Sequence, residues 1–263
     1  MYNFFKLNNF FQTNDVQIIV SFNFTEIQNY HNFTKELFGT KIQYMDSSEM
    51  RSIDAVLFGY YNMVQRCKFH PDVMIKPNGY LKEDFADFKK YVFDKLGIKE
   101  NPNPDHLVLI KRESDFASGL KTARQRRHIV NFKEIECSLE NVAQQHKLKF
   151  KTIEFAHLPI KKQIELSNNT KYLIGCHGSG LVNLYWMNNN SHVLEIEGNK
   201  HFRSDVDFVI DDAFKDMARV IGYKSFDFVK SEITTVPDNK KGQTSFHIKV
   251  DSKTLINKLK EFE

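Results

Sequence analysis

The stretch that most limits the fold is residues 171–198, KYLIGCHGSGLVNLYWMNNNSHVLEIEG. Residues 172–174, Tyr-Leu-Ile, form a short apolar run of the kind that makes a buried parallel strand. The run leads into Gly175-Cys176-His177-Gly178-Ser179-Gly180 and then into residues 181–187, whose apolar spacing suits a helix. After the turn-rich Asn188-Asn189-Asn190, residues 192–196 read as a second strand. Strand, glycine-rich turn, helix and strand together make a right-handed βαβ unit, and an α/β fold is the expectation.

The chemistry of the turn is legible from its residue types. Without a Cβ, Gly178 and Gly180 allow positive φ and the close approach of a ligand. The N–H groups of the following helical turn, with the positive end of the helix dipole, make an anion site suited to a diphosphate. His177 can donate a hydrogen bond there. Glu195 ends the next strand, where open α/β sheets bind ligands and a carboxylate can accept from ribose hydroxyls. The alternative on spacing alone is that the glycines only make a tight turn, with His177 a satisfied polar neighbour.

A length of 263 residues, 41% apolar and 27% charged, gives one large domain or two small ones with material for a core. A net charge of +4 is too mild to argue for nucleic acid. The three cysteines, Cys67, Cys137 and Cys176, show no metal-ligand spacing, so no zinc site is expected. No apolar run reaches the length of a membrane span, and the first fifteen residues lack the uninterrupted apolar core of a signal peptide. Sequons stand at Asn23, Asn32, Asn168 and Asn189, but in so Asn-rich a chain they say little about secretion.

Along the chain, residues 16–20, 41–45 and 55–61 are strand candidates, with helical spacing over 25–38. Residues 71–80 read as a loop. Residues 81–96 carry an apolar face that Gly97 closes as a helix C′ residue. Asn101-Pro102-Asn103-Pro104-Asp105 is the best linker, because its prolines bar both helix and central strand. It divides the chain into an N-terminal α/β domain, residues 1–100, and a Rossmann-like domain, residues 105–263. In the second, residues 106–110 start a strand that ends on Lys111 and Arg112. A basic run at 124–131 reads as a solvated face or a weak nucleic-acid patch, without an aromatic platform to favour the latter. Helices are expected over 134–146, 159–166, 211–221 and 251–262, and strands over 150–155 and 247–250. Such alternation marks a doubly wound sheet.

Four motifs in order then resemble the catalytic half of the family 61 glycosyltransferases, and most of all its N-acetylglucosamine-transferring members. They are Lys111-Arg112 with Arg127-His128-Ile129-Val130-Asn131, then residues 174–183, then Val193-Leu194-Glu195-Ile196, then residues 216–223. Gly59-Tyr60-Tyr61-Asn62 and Cys67 match a tyrosine-rich stretch more loosely.

The resemblance implies a GT-B-like fold: a Rossmann-type C-terminal domain that holds a UDP-sugar, with a short or truncated N-terminal α/β domain on the acceptor side. It implies inverting transfer of a sugar, N-acetylglucosamine from UDP-GlcNAc in the first instance, to a protein or glycan hydroxyl. Arg112, Arg127 and His177 would be catalytic, the arginines neutralising the diphosphate as it leaves. Asn131, Gly178, Ser179, Gly180, Asn183 and Glu195 would contact the donor. No metal, no further cofactor and no nucleic acid are expected, and no catalytic base can be named. The ER or Golgi lumen follows from family analogy only. A second reading is an inactive nucleotide-sugar-binding remnant, and a third a phosphate- or nucleic-acid-binding domain that mimics the motif.

Overall fold

A computed structural model describes residues 18–21, 42–45, 82–111, 127–196, 213–222, 225–238 and 243–262. The strand expected at 55–61 and the helix expected at 25–38 lie outside these residues. The chain divides into two compact units, residues 1–100 with 159–162, and residues 101–158 with 163–263.

In the first unit, β1 (Ile18–Ser21) and β2 (Ile42–Met45) pair in parallel. Helix α1 (Lys82–Leu96) buries Val92, Phe93 and Leu96. Its end is a Schellman turn: Ile98 N–H donates to Phe93 O at 2.8 Å and Gly97 N–H to Asp94 O at 3.3 Å. That geometry requires φ +67° at Gly97, where glycine carries no Cβ penalty.

The second unit is built on a five-stranded parallel sheet. Its strands are β3 (His106–Ile110), β5 (Lys149–Ile153), β6 (Thr170–Cys176), β7 (His192–Ile196) and β8 (Ser225–Val229), in the order β5-β3-β6-β7-β8. Alternate residues face opposite ways. Leu107 and Leu109, Tyr172 and Ile174, and Leu194 and Ile196 enter a core with α2 (Phe132–Gln145) and α5 (Ser252–Lys260). Val108, Ile110, Leu173 and Val193 are equally buried on the other face, which explains the unbroken apolar runs. Asp251 caps α5, its carboxylate accepting from Thr254 N–H at 3.0 Å.

Three strands form a second sheet that local pattern did not predict in full. β10 (Gln243–Val250) pairs antiparallel with β9 (Ser231–Asp238) and parallel with β4 (Arg127–Ile129). The basic run is thus in part a strand, and Ile129, Ile248 and Val250 join the core beneath α2 and α5. Helix α3 (Ile160–Asn168) precedes β6, and α4 (Ala213–Ile221) precedes β8 and is followed by Gly222 at φ +95°.

The strand order contains a switch point. From β3 the chain moves outward to β5, then returns past β3 to β6 and continues to β7 and β8. The direction reverses between β3 and β6, and sheets of this kind hold ligands in the crevice outside the carboxyl ends of that strand pair.

Candidate active site

At the carboxyl end of β6 the chain turns through His177 and Gly178 into residues Ser179–Trp186. Gly178 has φ 152° and ψ 176°, a conformation that is essentially glycine's alone. The next segment is a 3-10 helix, where an amphipathic α-helix fits the spacing almost as well. The reason lies in the side chains: Leu181, Leu184 and Met187 recur every third residue and are all fully buried. A helix of three residues per turn puts them in one line. Leu181 N–H donates to Gly178 O at 2.9 Å, which closes the first turn.

His177 and Glu195, 18 residues apart, meet here. Nδ1 of the imidazole lies 2.5 Å from Glu195 Oε1. Glu195 is 2% exposed and His177 17%. An ionised carboxylate so deep requires a close cationic or hydrogen-bonding partner, and the imidazole is one. Phe214 of α4 packs edge-on against the His177 ring, with centroids 5.0 Å apart. The ring is therefore held from two sides. The Glu195 carboxylate is buried, with one oxygen on His177.

The glycines divide the work. A Cβ on Gly175 would stand 2.8 Å from Cδ1 and 2.9 Å from Cβ of Ile110, and one on Gly180 3.0 Å from Ile110 Cγ2. Both let the turn lie down on β3 next to the switch point. In the described geometry, Gly180 is needed for packing on Ile110, and Gly178 for the turn itself.

The asparagines serve the backbone. Asn183 Nδ2 donates to Gly180 O at 3.1 Å, bracing the 3-10 turn. Asn131 Nδ2 donates to Val250 O at 2.7 Å, and Val250 N–H donates to Asn131 Oδ1 at 3.1 Å. That two-point contact ties the start of α2 to β10 as a strand partner would. Arg127 starts β4, opposite Phe246 of β10. Its side chain and that of Ser179, like the whole of Arg112, lie outside the described residues. Lys111, at the end of β3, pairs with Glu154 at 3.0 Å. Phe214, Ile110 and Glu154 contribute contacts that spacing alone does not reveal, since each depends on which strands are neighbours.

A parallel sheet whose glycine turn sits at the switch point defines the class: doubly wound, Rossmann-like α/β proteins that bind a ligand outside their strand ends. The family model described as Glycosyltransferase 61 matches residues 62–194, half of the chain. The chain belongs to that family. It is also similar to a beta-1,2-xylosyltransferase of Oryza sativa subsp. japonica, 28% identical over 105 residues. The match covers 39% of this chain and 20% of that protein, so the chain spans about a fifth of the curated relative's length. Among the described residues no helix is long and apolar enough to cross a membrane.

Proposed function

We propose that the chain binds a nucleoside diphosphate sugar and transfers its sugar to a hydroxyl with inversion. The observation that carries this reading is the His177–Glu195 pair beside the Gly178 turn, at the switch point of the sheet. Nδ1–H donates to the buried Glu195 carboxylate, which orients the ring, and in this proposal its other edge, Nε2, serves a diphosphate oxygen. The backbone N–H groups at the start of the 3-10 turn would share that charge. Glu195 thereby acts on the diphosphate through His177 and not on the ribose.

Electrostatic stabilisation of the leaving diphosphate is the largest contribution such a site can make, because charge grows there as the sugar departs. Arg127 and Arg112 belong to this proposal as the further cations, their planar forks suited to phosphate oxygens. Asn131 and Asn183 support it by holding α2 and the turn in place. The GT-B-like arrangement, the acceptor side in residues 1–100 and the ER or Golgi lumen remain parts of the proposal that family membership suggests.

The motifs favour UDP-GlcNAc as donor, while the relative's name favours a xylose donor. Release of UDP from UDP-xylose and from UDP-GlcNAc, measured side by side, tests the reading. Turnover of one donor, lost at least a hundredfold in Arg127→Ala, supports it. Saturable UDP binding without turnover of either donor leaves the alternative of a binding module.

A further inference from the structure

The fold treats the sequons differently. Asn23 and Asn32 lie outside the described residues. Asn168, the last residue of α3, is 3% exposed, and its Oδ1 accepts from Asn101 N–H at 3.1 Å. Thr170, which completes that sequon, is fully buried and donates its hydroxyl to Leu166 O at 2.8 Å. An oligosaccharide on Asn168 would have to displace close-packed interior, so that sequon is incompatible with the fold.

Asn189 is the opposite case. It is exposed, in the turn before β7. The hydrogen bonds that hold this turn belong to its neighbours. Ser191 N–H donates to Asn188 O at 2.9 Å, Asn190 N–H to Asn188 Oδ1 at 2.9 Å, and Asn188 Nδ2 to Asn101 O at 3.2 Å. A bulky polar group on the Asn189 amide therefore breaks none of them, and a surface turn is where such a group is tolerated. The third residue of the sequon adds a condition of timing. Ser191 is 1% exposed, and its hydroxyl donates to Thr170 O of β6 at 2.7 Å. That hydroxyl can be read by another enzyme only before β7 docks beside β6.

We propose that Asn189 is a site of N-linked glycosylation, modified on the nascent chain before the β6–β7 ladder closes. This rests on the proposed lumenal location and not on the donor reading. The co-substrate is an oligosaccharide joined through a diphosphate to a membrane lipid. A bond forms between Asn189 Nδ2 and the anomeric carbon of the first sugar as the bond from that carbon to the diphosphate oxygen breaks. The electron pair leaves on the lipid diphosphate, and one amide proton passes to a base of the transferring enzyme.

The position keeps the glycan away from the His177 turn. Asn189 precedes β7 at its amino end, whereas the turn follows β6 at its carboxyl end. The 5 residues of β7 span about 16 Å between those ends. Glycosylation of Asn189 and donor binding are thus compatible in one molecule.

The test uses the intact chain behind a cleavable secretion leader in an N-glycosylating eukaryotic host, as the wild type and as Asn189→Gln. The leader imposes the lumenal location, so the result bears on the site alone. Peptide N-glycosidase converts each glycosylated asparagine to aspartate, and peptide mass spectrometry reads the sequons one by one. Asn189 is expected to be occupied and Asn168 bare. Asn189→Gln should migrate with one glycan fewer than the wild type and bind UDP within twofold of it. Presenting the purified, folded, unglycosylated chain to microsomal membranes should leave Asn189 bare, because Ser191 is by then buried. A bare Asn189 in the leader-directed protein, or an occupied Asn168 in the folded protein, would overturn the assignment. Modification of the folded chain would overturn its timing. Failure of glycosylated wild type and Asn189→Gln alike to bind UDP would count against the donor reading and leave the glycan site standing.

Discussion

Two histidines stand at opposite ends of the same strand pair and have opposite surroundings. His177 follows β6 at its carboxyl end, with Nδ1 on the buried Glu195. His192 opens β7 at the amino end, opposite Tyr172 in the ladder. Its ring is stacked between Tyr172 at 5.0 Å and Phe262 at 4.8 Å, and its buried Nδ1 has no hydrogen-bond partner among the described residues. A carboxylate gives a ring N–H its acceptor, whereas burial in an aromatic sandwich favours the neutral ring. In the donor reading one end of the sheet meets an anion, while the other docks Phe262 near the C-terminus. Residue type does not separate the two histidines; the strand end does.

The sharpest way to break this contrast is to alter the polar group at each end in turn. Glu195→Gln keeps the shape of the side chain and deletes the charge beneath His177. Sugar transfer should fall about a hundredfold or more, the range set by losing one preorganised charge-stabilising group. His192→Phe keeps the stack and should leave transfer unchanged. Equal losses in the two variants, in one donor-turnover assay, would dissolve the distinction.

The support under the turn comes next. Gly175→Ala should destabilise the protein by roughly 1–3 kcal/mol through overpacking on Ile110. Adding Ile110→Ala should make the glycine substitution nearly harmless, a coupling that denaturant titration of the double-mutant cycle measures. Asn131→Ala should cost a similar or smaller amount, roughly 1–3 kcal/mol, because it strands the N–H and C=O of Val250. In the same titrations its effect should add to that of Gly175→Ala, since the two act on different contacts.

The smallest effect is a pH dependence at the amino end. Burial first, then the Lys171 ammonium, holds His192 below the ordinary imidazole value of 6.5 in the folded protein. The unfolded chain therefore takes up this proton first as the pH falls, and binds more protons within that window. Stability should be full above 6.5 and decline as the pH drops from there toward the folded value. Burial of His106 acts with the same sign. Melting temperatures across this range should slope less in His192→Phe, and an unchanged slope would mean that other groups carry the effect.

Much of the carboxyl end was legible in the sequence. An apolar run leading into the glycine turn marked β6, the run after the Asn188-Asn189-Asn190 turn marked β7, and the strand at 106–110 matches β3 to the residue. Gly97 marked the end of α1, because a Schellman turn needs positive φ. What local pattern could not carry was adjacency. The contact of His177 with Glu195 depends on the β6–β7 register, in which Gly175 pairs with Glu195. That Gly175 and Gly180 serve Ile110 depends on β3 lying beside β6. β4 is three residues long and pairs with β10 more than a hundred residues later, so it read only as a basic run. The 3-10 form of Ser179–Trp186 was present as a spacing of three, which a short window does not separate from 3.6.

The most direct test of the central claim is calorimetry of UDP against the wild type, His177→Gln and His192→Phe. The donor reading predicts saturable binding by the wild type and His192→Phe, and at least tenfold weaker binding by His177→Gln. Equal affinity in all three would place the diphosphate elsewhere and contradict the assignment of the His177 turn.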